Sequence, residues 1–145
     1  MATTTSTVSI ISDDLGSNPI NINQSKVCYK AGSNVGLDQT TGLNKVYLTA
    51  TTNVDIITVP GATMTGKNAK VYIANLSTVD TEWIIVTKGN NVIGRLYAGD
   101  WMWMPMEQKA QHLSDVEISP SVATGIWAEY MMIHEGIVLT TSADS

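Results

Sequence analysis

The 145-residue chain has no phenylalanine, one cysteine and only eight Lys and Arg, and the last two shortages each close off a class of protein. A single thiol, Cys28, permits no internal disulfide and cannot supply a cysteine-rich zinc site, so stability must come from packing or assembly. Thirteen Asp and Glu leave a net charge of −5, which disfavours binding to nucleic acid or to anionic lipid. No eighteen apolar residues run together, so a membrane-spanning helix is not expected. The opening Met-Ala-Thr-Thr-Thr-Ser-Thr has neither the basic start nor the apolar stretch of an export signal. With 14% charged and 43% apolar residues the chain is unlike a disordered one, and its length suits one domain with one core.

What is present is an unusual set of large side chains, four Trp, five Tyr and seven Met, in a chain more than a quarter Ser, Thr and Asn. Residues 1–24 are polar apart from Val8-Ser-Ile-Ile11 and Pro19-Ile20, and cannot bury much alone. They read as a solvated tail or as an extended N-terminal arm that pairs with a neighbouring subunit, and not as a helix. Residues 25–145 read as the folded domain.

Within it, short β-rich runs recur every eight to fifteen residues or so, the spacing of a sandwich or barrel. Strands are expected at Lys26 to Lys30, Lys45 to Thr52, Asp55 to Val59, Lys70 to Asn75, Glu82 to Thr87, Asn91 to Leu96, Trp101 to Pro105, Val116 to Ser119 and Gly125 to Ile133. Between Trp83-Ile-Ile-Val-Thr87 and Val92-Ile-Gly-Arg-Leu96, the residues Lys88-Gly-Asn-Asn91 tolerate positive φ and predict a hairpin. The only helix-like stretch, Met106 to Leu113, follows Pro105 and is about two turns long, too short for crossover helices and a parallel sheet. The expected fold is therefore all-β, a single antiparallel β-sandwich or jelly roll.

Candidate catalytic residues are sparse. His112 and His134 are the only imidazoles, and neither belongs to a His-x-His or His-Glu-x-x-His spacing. His134, at the end of an apolar run, is expected to face water or cap a neighbour; His112 lies in a polar segment and is expected to be exposed. Cys28, inside Val27-Cys-Tyr29, reads as a small buried hydrophobe. No Gly-x-Ser-x-Gly elbow occurs, and Gly61 to Gly66 lacks the Lys-Ser/Thr of a phosphate cradle. No catalytic residue, metal or cofactor is expected. Asn23-Gln-Ser25 and Asn75-Leu-Ser77 match the glycosylation sequon by coincidence of an Asn- and Ser-rich composition.

The most unusual stretch is Tyr97-Ala-Gly-Asp-Trp-Met-Trp-Met-Pro-Met106. On a strand Trp101 and Trp103 share one face and Met102 and Met104 the other, so both faces are apolar. One face can rest on the core while the other is covered by the same chain or by another subunit. The run Gly125 to Ile133 repeats the pattern: Ile126, Ala128, Tyr130 and Met132 form one row, and Trp127, Met131 and Ile133, interrupted by Glu129, the other. Two such strands exceed what one small core readily hides, which favours oligomerisation. The candidate interface residues are Trp101, Met102, Trp103, Met104, Trp127 and Met131, with Val8, Ile10 and Ile11 of the arm.

Val71-Tyr-Ile-Ala-Asn-Leu-Ser77, Glu82-Trp-Ile-Ile-Val-Thr87 and Val92 to Pro105 together resemble small virion proteins of tailed bacteriophages. In those proteins a strand, a polar turn and a hairpin precede Gly-x-Leu-x-x-Gly-Asp/Glu, several apolar residues and Pro. The same motif is similar to part of a cupin or other jelly roll, although neither His lies beside it as metal-binding cupins require. The resemblance implies a non-enzymatic head decoration (cement) protein, made in the host cytoplasm and carried on the capsid surface as a homotrimer bound to major capsid protein. Two alternatives are a tail, neck or receptor-binding component that recognises a host glycan through its Trp residues, and a cupin-like enzyme.

Overall fold

In the computed structural model the described residues are 3–58, 67–106, 115–136 and 140–141, and all their regular structure is β-strand. The strands are β1 (Thr5–Ser12), β2 (Ile20–Val27), β3 (Gln39–Thr40), β4 (Asn44–Leu48), β5 (Val54–Thr58), β6 (Ala69–Asn75), β7 (Trp83–Lys88), β8 (Asn91–Tyr97), β9 (Trp101–Pro105), β10 (Val116–Pro120), β11 (Ile126–His134) and β12 (Thr140–Thr141).

The pairing is nested. β7 pairs with β8, β6 with β9, β5 with β10 and β4 with β11, all antiparallel. Strands β4 to β11 therefore form one long hairpin rolled on itself, with alternate pairs in opposite sheets. One sheet runs β4–β11–β6–β9 and the other β5–β10–β7–β8, the strand order of a jelly roll. β3 continues the β4 edge along β11, and β12 extends the second sheet beside β5. Between β3 and β4 the Thr41 side chain replaces the ladder, its Oγ1 accepting from Met132 N at 2.9 Å.

Alternation decides which side chains enter. On β6 Ala69, Val71 and Ile73 point inward and Lys70 and Tyr72 outward; on β11 the inward row is Ile126, Ala128, Tyr130 and Met132, as the sequence rows imply. Ile56, Ile84 and Ile118 of the second sheet meet them and are fully buried. Each such side chain contributes roughly 1.5–3 kcal/mol through its removal from water. Aliphatic and Met side chains fill this core almost alone, Tyr130 being its one buried aromatic.

The expected hairpin is β7–β8, closed at Gly89 (φ 61°), with Ile93 left as an extra residue where the register shifts. The Gly99-Asp100 pair forms the corner from β8 to β9. Gly99 sits at φ 80°, and the Asp100 carboxylate accepts from Tyr97 N at 2.8 Å. Asn75, 1% exposed, holds this corner: its backbone bonds Asp100 and Gly99, and its side-chain amide donates to Leu96 O at 2.9 Å. That burial excludes Asn75 as a glycan acceptor in the folded chain.

The amino-terminal segment is a two-stranded antiparallel ribbon of its own, Thr5↔Val27 through Ser12↔Ile20. The run placed at Lys26 to Lys30 is thus the end of β2 followed by an isolated Tyr29–Gly36 bridge. His112, the Met106 to Leu113 stretch beyond Met106, and Gly61 to Gly66 lie outside the described residues.

Candidate interaction surface

The outer face of the β4–β11–β6–β9 sheet is read directly from register. Trp127 lies beside Tyr47; Glu129 lies between Lys45 and Ala74, with Trp101 beyond; Met131, Tyr72 and Trp103 form the next row. Tyr47 and Trp127 rings are 4.8 Å apart, tilted at 39°. Tyr72 Oη donates to Glu129 Oε1 at 3.1 Å; burial, then this bond and the carboxylate charge, push the phenol pKa up. Gly125 (φ 115°) borders the aromatic pair because a Cβ there would overlap the Tyr47 ring.

The ribbon base covers part of this face. Cys28 and Leu37 pack on Ile133, with Trp103 and Met131 against them, so Cys28 is the small buried hydrophobe expected. Above, Thr5, Thr7 and Val8 of β1 face Tyr72, Trp101, Trp103 and Glu129 across an open groove of about 550 Å³. A second cleft of about 360 Å³ adjoins it, sharing Ser6 and Trp103, and is lined by Lys26, Lys30, Lys70 and Asn68. Away from its base the ribbon carries exposed apolar side chains: the cross-strand pair Ile10 and Ile22, then Ile11, and Leu15 at 78% exposure in the turn.

The candidate interface residues thus divide. Trp101 (53% exposed) and Trp127 (50%) stand on the outer face. Trp103 and Met131 are half-covered by the chain's own Cys28 and Leu37. Met102 and Met104 turn inward against the core, so they are packing residues rather than contact residues. Val8 lines the groove, and Ile10 and Ile11 are exposed. Trp83, the remaining tryptophan, lies half-buried on the other sheet beneath the Arg95 guanidinium, 4.0 Å from its ring. All four tryptophans therefore stand outside the inter-sheet core.

Tyr47, the Tyr72–Glu129 pair, Lys26, Lys70 and Leu15 were not foreseen as surface determinants. The sequence does hold one signal for the ribbon: Val8-Ser-Ile10 and Ile20-Asn-Ile22 alternate on either side of Asp13-Asp-Leu-Gly-Ser-Asn-Pro19, a hairpin pattern.

Of the two outcomes expected of His134, facing water or capping a neighbour, the structure overturns the first. His134 is 2% exposed, its Nδ1 has no hydrogen-bond partner, and burial lowers its pKa. Its neighbour Glu135 accepts from Ala31 N at 2.6 Å and Asn68 N at 2.8 Å, bonds that lower its pKa against the opposing effect of burial. On the second sheet Glu117 faces Asp55 across β10 and β5; their shared hydrogen bond, then burial and the like charge, raise Glu117 to about 7. Among the described residues no three of His, Cys, Asp and Glu converge as metal ligands would.

No protein-family model, curated protein or solved structure matches the chain.

Proposed function

We propose that the chain is a non-enzymatic structural subunit of a tailed-bacteriophage virion, a head decoration protein that assembles as a homotrimer and binds major capsid protein. The observation that carries this reading is the outward position of the large apolar side chains. The core closes without any of the four tryptophans, while Trp101, Trp127 and the ribbon's Ile10, Ile11, Leu15 and Ile22 remain exposed. Aromatic residues concentrate at protein interfaces, and a two-stranded ribbon is marginal in water unless it packs against something. Burying such surface contributes roughly 25 cal/mol per Å² before the costs of association, and repetition over a shell multiplies weak contacts into firm attachment.

The test is composition. Particles purified from the producing lysate are expected to contain the chain in fixed proportion to major capsid protein, a ratio read by quantitative mass spectrometry. Its absence from purified particles would reject the reading.

One observation favours a second reading, a tail or receptor-binding component that holds a host glycan. The groove combines Trp101 and Trp103 with the Tyr72–Glu129 pair and the hydroxyls of Thr5 and Thr7, an aromatic floor with a polar rim. Oligosaccharide binding abolished by Trp101→Ala, in particles where the chain sits on the tail, would favour it over the first.

A further inference from the structure

The ribbon is electrically polarised. Between residues 3 and 24 the only ionisable side chains are Asp13 and Asp14, both in the turn at its tip. At its base three of the chain's eight basic residues, Lys26, Lys30 and Lys70, line one cleft. Lys30 is engaged, with Nζ 2.9 Å from Asp38 Oδ2. Lys26 lies over the Tyr29 ring at 5.1 Å, and neither it nor Lys70 has a carboxylate partner among the described residues. Against the opposing effect of burial, the Glu135 carboxylate is lowered in pKa by the Ala31 and Asn68 amides it accepts from and then by the charges of Lys67 and Lys30, not by Lys26 or Lys70. In a protein of net charge −5, two lysines without a carboxylate partner among the described residues thus border one concavity, where an anion from outside the fold would be favoured.

The tip cannot reach that site in its own chain. Eight residues of extended strand separate base from tip by roughly 25 Å. Nor is this end of the ribbon covered: Leu15 in the turn and Ile10, Ile11 and Ile22 on the strands leading to it are exposed. The groove next to the lysine cleft presents the matching surface in Trp101, Trp103 and Met131. Acid amid apolar side chains at one end therefore meets base beside aromatic side chains at the other.

We infer that the occupant of this double groove is the ribbon tip of a second copy of the chain, Asp13 and Asp14 opposite Lys26 and Lys70, with the tip's isoleucines on Trp101 and Trp103. This inference rests on the proposed assembly role and names the contact through which it works. The contact joins two different patches, so it repeats head to tail and closes into a ring or runs on as a filament according to the rotation it imposes. A trimer is one such closure. Because both charge pairs lie at the surface, salt weakens the contact and charge reversal disrupts it.

The test is sedimentation velocity of the full chain over a concentration and salt series, with Asp13→Lys/Asp14→Lys, Lys26→Glu/Lys70→Glu and the combination of all four. All the changed positions are exposed or half-exposed, and near-ultraviolet circular dichroism checks that each variant keeps its packing. The wild type is expected to associate, more weakly as salt rises. Each double reversal is expected to weaken association about tenfold or more. The fourfold swap should restore it, as should an equimolar mixture of the two reversed chains, in which each intact tip finds an intact cleft. Association indifferent to both reversals would overturn the inference in favour of another self-contact. A wild type monomeric throughout, or one whose tryptophan fluorescence responds to neutral oligosaccharides while it stays monomeric, would also overturn it. The virion reading is judged separately on particle composition, so a failure here and a failure there are distinguishable.

Discussion

The side-chain amide of Asn75 donates to the carbonyl of Leu96 across 2.9 Å, joining the end of β6 in one sheet to the end of β8 in the other. The same amide lies 3.3 Å from Glu82 O, and Asn75 Oδ1 accepts from Ser77 N at 2.9 Å. One buried residue thus satisfies three backbone groups at the corner where the chain changes sheets. Asn75→Ala leaves those groups without partners and is expected to destabilise the fold by about 2–3 kcal/mol, read from the urea midpoint at constant m-value.

Glu117 supplies a pH-dependent term. Its folded pKa of about 7 lies above its ordinary 4.5 because of the hydrogen bond with Asp55, then burial and the charges of Asp55 and Asp115, so the native state holds a proton that the unfolded chain releases between those values. The stabilisation from this pair is complete below pH 4.5 and is lost as pH rises through 7. Glu117→Gln removes the repulsion: its melting temperature is expected to exceed wild type at pH 8 and to converge with it at pH 4. Asp38 and Glu135, whose pKa values are lowered, act in the opposite direction, so the diagnostic quantity is the difference between variant and wild type.

The two sides of β9 should respond oppositely to substitution. Met104→Ala removes a side chain packed on the core and is expected to cost about 2–3 kcal/mol, toward the low end because the site is only partly buried. Trp101→Ser alters a half-exposed side chain and is expected to leave stability within about 0.5 kcal/mol. Its effect should appear in the sedimentation coefficient instead, as weakened association.

At Gly125 the backbone has φ 115° and Tyr47 occupies the space of a Cβ. Gly125→Ala is expected to destabilise by more than about 1 kcal/mol and to displace Tyr47 from Trp127, seen as a shift in tryptophan emission.

Deleting residues 1–24 removes β1 and most of β2 but no residue of the inter-sheet core. The remaining chain is expected to unfold cooperatively, with Cys28 and Trp103 more accessible to thiol and indole reagents, and to lose self-association. Loss of cooperative unfolding would mean that the ribbon is part of the core structure.

Much of the domain was legible because alternation is a local property. The division of β9 and β11 into two opposite rows follows from residue order alone, and Lys88-Gly-Asn-Asn91 announces its own turn. Strand order is not local, and the nested pairs that make the jelly roll appear only when residues as distant as Leu48 and Ile126 are seen side by side. The ribbon was missed as a hairpin because its strands are polar, carried by backbone pairing rather than by an apolar face. Periodicity showed that Trp103 and Met104 point opposite ways; it could not say that the Met row faces the core, since both rows are apolar. The lysine cleft was invisible because Lys26 and Lys70 meet only through the fold.

Whether the outer face and the ribbon tip meet protein neighbours in a particle is read most directly by hydroxyl-radical footprinting. Oxidation is compared residue by residue between the free chain and purified particles. Trp101, Ile10, Ile11 and Leu15 are expected to be strongly protected in particles, with little change at the inward-facing Met102 and Met104. Equal oxidation of Trp101 and the ribbon tip in both states would contradict such contact.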